Sequence, residues 1–277
     1  MSALFQTLER RLKAAGSGNA KRAVEELAAH VLGCKPLEIY FKKMSTAQEE
    51  HLEILIDRAE LGEPIQYIIG HVDFRGLEIH CDRRALIPRP ETELLVEAVL
   101  SSLIDHHSSF RIADIGTGTG CIALSLLHEL PNAEVIGVDI SPDALALARE
   151  NAERLGLSAR FQALEDNLLT GFEENSLDAV VSNPPYIFST VWKNLEPCVR
   201  DFEPQLALDG GEYGLDLIRP LVEQAARVLK PDGGLFLEIG YDQGSAVFQC
   251  LENAGFQHVK VQKDLAGLDR IVTGFRS

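Results

Sequence analysis

The sequence predicts an α/β fold, a doubly wound and mostly parallel sheet preceded by a small N-terminal helical bundle. Three observations carry that prediction. From Arg111 onward, apolar runs of strand length alternate with helical stretches, the pattern that builds a parallel sheet covered on both faces. The run Arg111-Ile112-Ala113-Asp114-Ile115 opens into Gly116-Thr117-Gly118-Thr119-Gly120 and then into an apolar-rich helix from Cys121, as strand, glycine loop and helix follow one another in nucleotide-type sites. Residues 1–61 instead repeat apolar side chains at helical spacing.

In the N-terminal part, Leu4, Leu8 and Leu12 mark a first helix, Ala23, Leu27 and His30-Val31 a second, and Leu52, Ile54-Leu55 and Ala59 a third. Gly16-Ser17-Gly18 breaks the first pair, and Asn19 is placed to cap the second helix. Gln66 to His80 alternates apolar and polar residues around Arg75-Gly76, which predicts a β-hairpin. The organisation expected is a bundle over 1–61, a hairpin linker over 62–88 and a larger domain over 89–277. Pro90 suits the first turn of a helix through Leu100, with Glu91 and Glu93 at its positive end. His106-His107-Ser108-Ser109 then reads as a solvated loop, with no third ligand nearby to make the histidines a metal site.

Glycine at alternate positions of 116–120 lets a ligand lie against bare backbone, and the helix that follows offers free N–H groups to an anion. The third glycine of a dinucleotide fingerprint would fall at Cys121, and no Gly-x-x-x-x-Gly-Lys loop is present, so NAD and ATP are disfavoured. The next strand, Glu134 to Asp139, closes on a carboxylate 19 positions past Gly120, the spacing at which an acid meets ribose hydroxyls. Asp139 is the expected ribose ligand, and Ser141 before Pro142 the cap of the helix through Leu155.

Further strands are expected over Ala159–Leu164, Leu177–Val181, Gly234–Ile239, Val259–Gln262 and Arg270–Thr273, and helices over Leu215–Leu229 and Ser245–Ala254. Just past the strand expected over Leu177–Val181, Asn183-Pro184-Pro185-Tyr186 presents one amide, one prolyl carbonyl kept out of ladder pairing, and one aromatic face. Such a set grips a planar –NH2 group by two hydrogen bonds and a stacking contact. Gly116–Gly120, Asp139, Asp166 and Asn183 all fall at strand C-termini, where doubly wound sheets hold their ligands.

In that order, these motifs resemble the class I S-adenosylmethionine-dependent methyltransferases that modify exocyclic amines and amides. Ile87-Pro88-Arg89-Pro90-Glu91-Thr92-Glu93, Phe202 to Gly211 and Asp264-Leu265-Ala266-Gly267-Leu268-Asp269-Arg270 narrow the resemblance to the peptide chain release factor N5-glutamine methyltransferases, the PrmC/HemK family. The resemblance covers nearly the whole chain. It implies a Rossmann-like, seven-stranded sheet whose C-terminal strands pair antiparallel. It implies S-adenosylmethionine as donor, S-adenosylhomocysteine as product, and release factors methylated on the glutamine of their Gly-Gly-Gln loop. The cofactor would be held by Gly116, Thr117, Gly118, Thr119, Gly120, Asp139, Asp166, Asn167 and Asn183. Asp166 would lie near the adenine amine, though Asn167 stands where the family often has a bulky side chain. The glutamine would be held by Asn183, Pro184, Pro185 and Tyr186, with Asn183, Pro184 and Tyr186 as the catalytic group.

Composition is consistent with this reading. At 277 residues and 45% hydrophobic content the chain can bury two cores. The formal charge is −16, of which residues 1–86 carry −1 and residues 87–277 carry −15. A field of that sign repels phosphate backbones and suits a basic protein partner, against the alternative of an N6-adenine or other nucleic-acid methyltransferase acting through the same tetrapeptide. A binding protein that keeps the fold without activity is disfavoured by the intact loop and tetrapeptide. Cys34, Cys81, Cys121, Cys198 and Cys250 form no Cys-x-x-Cys pair and read as reduced core thiols. With no apolar run near about 18 residues and no signal-peptide core, neither membrane nor export is expected, and the expected compartment is the cytoplasm.

Overall fold

The computed structural model describes residues 3–103 and 109–277, so His106, His107 and Ser108 lie outside the described residues. The chain divides into two compact units: residues up to His71 together with Glu196–Phe202, and Val72–Leu195 together with Glu203–Ser277.

The first unit is helical: α1 (Ala3–Ala14), α2 (Ala20–Leu32), a 3-10 turn (Pro36–Phe41), α3 (Thr46–Glu60) and α4 (Ile65–Ile69). Leu8, Leu12, Val24, Leu27, Leu52 and Ile56 close its core. Arg11 forks onto Glu60, its Nε donating to Oε1 at 2.8 Å and its Nη2 to Oε2 at 2.6 Å, which joins α1 to α3. At the start of α3, Ser45 and Gln48 form a capping box. Three expectations change here. Asn19 occupies the N-cap of α2 but its side chain makes no capping bond. Ile54 faces solvent at 59% exposure while Ile56, one half-turn on, takes the core position. The stretch expected to open the hairpin is instead α4, bounded by Pro64 and by Gly70 in the left-handed region.

The hairpin itself, in the second unit from Val72 on, is β1 (His71–Phe74) and β2 (Leu77–His80), turning at Arg75 and Gly76. Both turn residues have positive φ, the conformation that matches strand twist. Phe74 and Ile79 bury against Leu95, Val96 and Val99 of α5 (Thr92–Leu103). Pro90 sits in the turn just before α5 rather than inside it: the Thr92 and Glu93 N–H groups donate to the Arg89 and Pro90 carbonyls.

The sheet contains β3 (Arg111–Ile115), β4 (Glu134–Asp139), β5 (Phe161–Glu165), β6 (Leu177–Ser182), β7 (Leu229–Glu238), β8 (Gln257–Lys263) and β9 (Asp269–Phe275). Its order is β5-β4-β3-β6-β7-β9-β8. The central strands are parallel, and β9 runs antiparallel to both β7 and β8. Strand period sets the two cores. Ile112, Ala179, Val181 and Phe236 face α5 and α6 (Cys121–Glu129), whereas Ala113, Val180, Leu235 and Leu237 face α10 (Ile218–Val228) and α11 (Gly244–Asn253). The remaining helices are α7 (Pro142–Arg154), capped by Ser141, and the short α8 (Ser189–Trp192) and α9 (Pro197–Arg200). Of the five cysteines only Cys81 and Cys121 are core thiols; Cys34, Cys198 and Cys250 are half-buried.

Candidate active site at the C-terminal edge of the sheet

The chain winds outward from β3 through β4 to β5, then returns to β6 on the other side of β3. A cleft opens at that reversal, where the strand ends diverge. Gly116, Thr117, Gly118 and Thr119 line it from the end of β3, Asp139 and Ile140 from the end of β4, Asp166, Asn167 and Leu168 after β5, and Asn183, Pro184 and Pro185 after β6. Gly120 and Tyr186 do not line it. Gly120 is the left-handed N-cap of α6, and a Cβ there would stand 3.3 Å from that of Ala148 on α7.

The loop and the acid are bonded to each other. Asp139 Oδ2 accepts from the Gly118 N–H at 3.0 Å and Oδ1 from the Ser141 N–H at 3.0 Å. Beneath the loop, fully buried Asp114 accepts through Oδ2 from Thr117 Oγ1 at 2.7 Å and from the Ala123 N–H at 3.3 Å. Its Oδ1 meets no donor among the described residues. Burial pushes the Asp114 carboxyl up to about 7, against the pull of those hydrogen bonds. Asn151 of α7 fastens the assembly: its Oδ1 accepts from the His80 N–H, and its Nδ2 donates to the His80 and Thr119 carbonyls, each at 2.9 Å.

Asp166 is occupied by its own loop. It accepts from the Asn167 and Gly171 N–H groups at 2.7 and 2.8 Å and from Thr170 Oγ1. Burial pushes its carboxyl up, but those bonds outweigh burial and hold it below the usual range.

At the end of β6, Asn183 Nδ2 donates to Thr92 Oγ1 at 3.2 Å, and Thr92 Oγ1 donates to Glu238 Oε2 at 2.7 Å. Tyr186 OH donates to Glu238 Oε1 at 3.3 Å. Burial holds the Glu238 carboxyl above its usual range, and the Thr92 hydrogen bond and the nearby Arg270 guanidinium only partly counter it; burial and Glu238 push the Tyr186 phenol up. Neither Asn183 Oδ1 nor the Pro184 carbonyl meets a donor among the described residues. Behind the tetrapeptide the backbone comes close: a Cβ at Gly210 would lie 2.6 Å from the Pro185 carbonyl, and one at Gly214 would overlap the Tyr186 carbonyl. Arg89 and Pro204 line the cleft, and Glu203, 4% exposed, accepts from the Ile87 N–H at 3.0 Å and pairs with Arg89.

Sequence reasoning did not single out Thr92, Glu238 or Ile140. Glu238 had a signal, a charge in the last position of an apolar strand. Ile140 had none in the sequence, since its 54% exposure at the cleft wall beside Asp139 is visible only in the structure.

A doubly wound sheet with its glycine loop, acid and Asn-Pro-Pro-Tyr at one reversal point defines a methyltransferase fold. The family profile described as methyltransferase small domain matches residues 91–194, and that described as PrmC N-terminal domain matches residues 3–70. The release factor glutamine methyltransferase of Caulobacter vibrioides is 41% identical over 270 residues, 96% of this chain and 93% of the relative. That of Moorella thermoacetica is 48% identical over 222 residues, 80% and 78%. A ribosomal protein L11 methylase from Lactobacillus delbrueckii subsp. bulgaricus shares the fold, with TM-score 0.51 and 22% identity over 72% of this chain and 85% of that one. The chain belongs to the release factor glutamine methyltransferase family.

Proposed function

We propose that this enzyme transfers a methyl group from S-adenosylmethionine to the side-chain amide nitrogen of the glutamine in the Gly-Gly-Gln motif of peptide chain release factors, in the cytoplasm and in support of translation termination. One observation carries the reading: among the described residues neither Asn183 Oδ1 nor the Pro184 carbonyl accepts a hydrogen bond, both residues line the cleft at a strand end, and Asn183 Nδ2 donates to Thr92.

The loop residues fit the donor. Gly116 has φ +70° and lines the cleft, and a Cβ built on it would meet nothing within 4 Å, so its backbone is open to a ligand. Gly116, Thr117, Gly118 and Thr119 would hold the amino-acid end, with Gly120 shaping the loop from behind as the N-cap of α6, Asp139 would hold the ribose hydroxyls, and Asp166, Asn167 and exposed Ile140 the adenine edge. When bound, S-adenosylmethionine supplies an electrophilic methyl on a positively charged sulfur.

An amide nitrogen is a feeble nucleophile because its lone pair is delocalised into the carbonyl. Accepting both of its N–H bonds on Asn183 and Pro184 fixes its direction, so positioning supplies the rate and no strong base is assigned. Pro185 stiffens the turn, and Tyr186, its hydroxyl held by Glu238, is assigned the edge of the amide plane. Acidity of −15 over residues 87–277 favours a basic protein partner over nucleic acid. Residues 1–61 are assigned to recognition of the release factor, supported by Leu37 and Phe41, 80% and 90% exposed on one short turn.

The test is transfer of labelled methyl to purified release factor, DNA and RNA, with the modified peptide mapped by mass spectrometry. Label on the Gly-Gly-Gln glutamine is the expected result; label on nucleic acid, or on no release factor, overturns the reading.

A further inference from the structure

Glu238 is 1% exposed at the end of β7 and Thr92 2% exposed at the start of α5, 146 residues apart, yet they meet at 2.7 Å behind Asn183. A carboxylate in an apolar layer is costly unless several donors converge on it. Here two hydroxyls do, and Arg270 lies near enough to favour the charged form. Packing alone would be served by a leucine.

We propose that Glu238, acting through Thr92, is a positioning residue that sets which end of the Asn183 amide faces the substrate, and that it holds Tyr186 at the same time. A threonine hydroxyl has one proton. Given to Glu238, it leaves only lone pairs toward Asn183, so Asn183 must turn Nδ2 to Thr92 and Oδ1 away from it. A reversed amide would present N–H groups to a substrate that itself offers N–H groups, and the grip would be lost. Glu238 thus reads out at Asn183 as polarity, without touching substrate. This rests on the glutamine reading above.

The decisive variants are Thr92→Val, which keeps the shape and deletes the relay, and Thr92→Ser, which restores the hydroxyl. With release factor as substrate, Thr92→Val is expected to lower kcat by about tenfold or more, with KM and the S-adenosylhomocysteine Kd within about twofold of the parent, and Thr92→Ser to recover most of it. In an Asn183→Ala background, Thr92→Val should cost nothing further, because Thr92 acts only through Asn183. Glu238→Gln cannot accept from both hydroxyls and should also lose kcat. A parent without turnover on release factor overturns the function and this inference together. A turning-over parent overturns this inference alone if Thr92→Val keeps parental kcat, if serine fails to rescue, if the valine loss persists without Asn183, or if Glu238→Gln keeps parental kcat.

Discussion

The Gly118 N–H donates to Asp139 Oδ2 at 3.0 Å, so the loop after β3 and the acid after β4 form one bonded unit. Asp139 therefore has two roles on the proposed reading: it takes the ribose hydroxyls on its remaining lone pairs, and it ties the glycine loop to the end of β4. Asp139→Ala removes both. S-adenosylhomocysteine affinity measured by calorimetry should fall by about 1.5–3 kcal/mol, roughly tenfold to a hundredfold. Unchanged affinity would take Asp139 out of the site.

Asn183→Ala removes the side-chain acceptor but keeps both prolines, so it should spare cofactor binding and lower single-turnover rate by about 2.7–4 kcal/mol, a hundredfold to a thousandfold by analogy with loss of one oxyanion donor. Asn183→Asp keeps the outward oxygen but turns a second carboxylate toward a Thr92 hydroxyl already committed to Glu238. Its rate should fall between alanine and parent. Both variants within a few-fold of parent would reduce the tetrapeptide to a structural turn.

Asp114 has its folded pKa raised by burial to about 7, above its unfolded value of about 3.9. A carboxyl raised on folding contributes stability below the unfolded pKa and loses it as pH rises through the folded one. The contribution should fade between about pH 4 and pH 7, by on the order of 3–4 kcal/mol. Asp114→Asn, which still offers an acceptor to Thr117 and Ala123, should flatten that slope. Urea melts of parent and variant at pH 5 and pH 8 check it; a parent-minus-variant difference that does not change with pH excludes Asp114 as the titrating group.

If the N-terminal bundle recognises the release factor, Leu37→Ser with Phe41→Ser should raise KM for whole release factor about tenfold and leave S-adenosylhomocysteine binding untouched. An unchanged KM would leave that surface without the proposed role.

What the sequence made legible was local. The glycine loop, the acid-ended strand and the Pro-Pro turn each announce themselves within a few residues, because their chemistry and their backbone demands coincide. Five-residue α4 escaped because it is shorter than two turns and so leaves no 3.6-residue period to read. Ile54 and Ile56 were exchanged because a helix face shifts by 100° per residue while apolarity alone does not say which isoleucine is inward. The pairing of Thr92 with Glu238 was invisible for a different reason: it spans 146 residues and exists only through the sheet order.

That order has a temporal side. The half of the cleft proposed for the donor, β3 to β5 with the loop through Leu168, is complete well before Glu238 on β7, for which the proposed acceptor half waits. β7 in turn gains its second neighbour only when β9, residues 269–275, slides in beside it. A growing chain could thus offer a place for the donor long before it could aim an amide at it. On the proposed reading, competence for methyl transfer waits for β9 to pair with β7, and a chain cut before residue 269 would be a cofactor binder without a reaction.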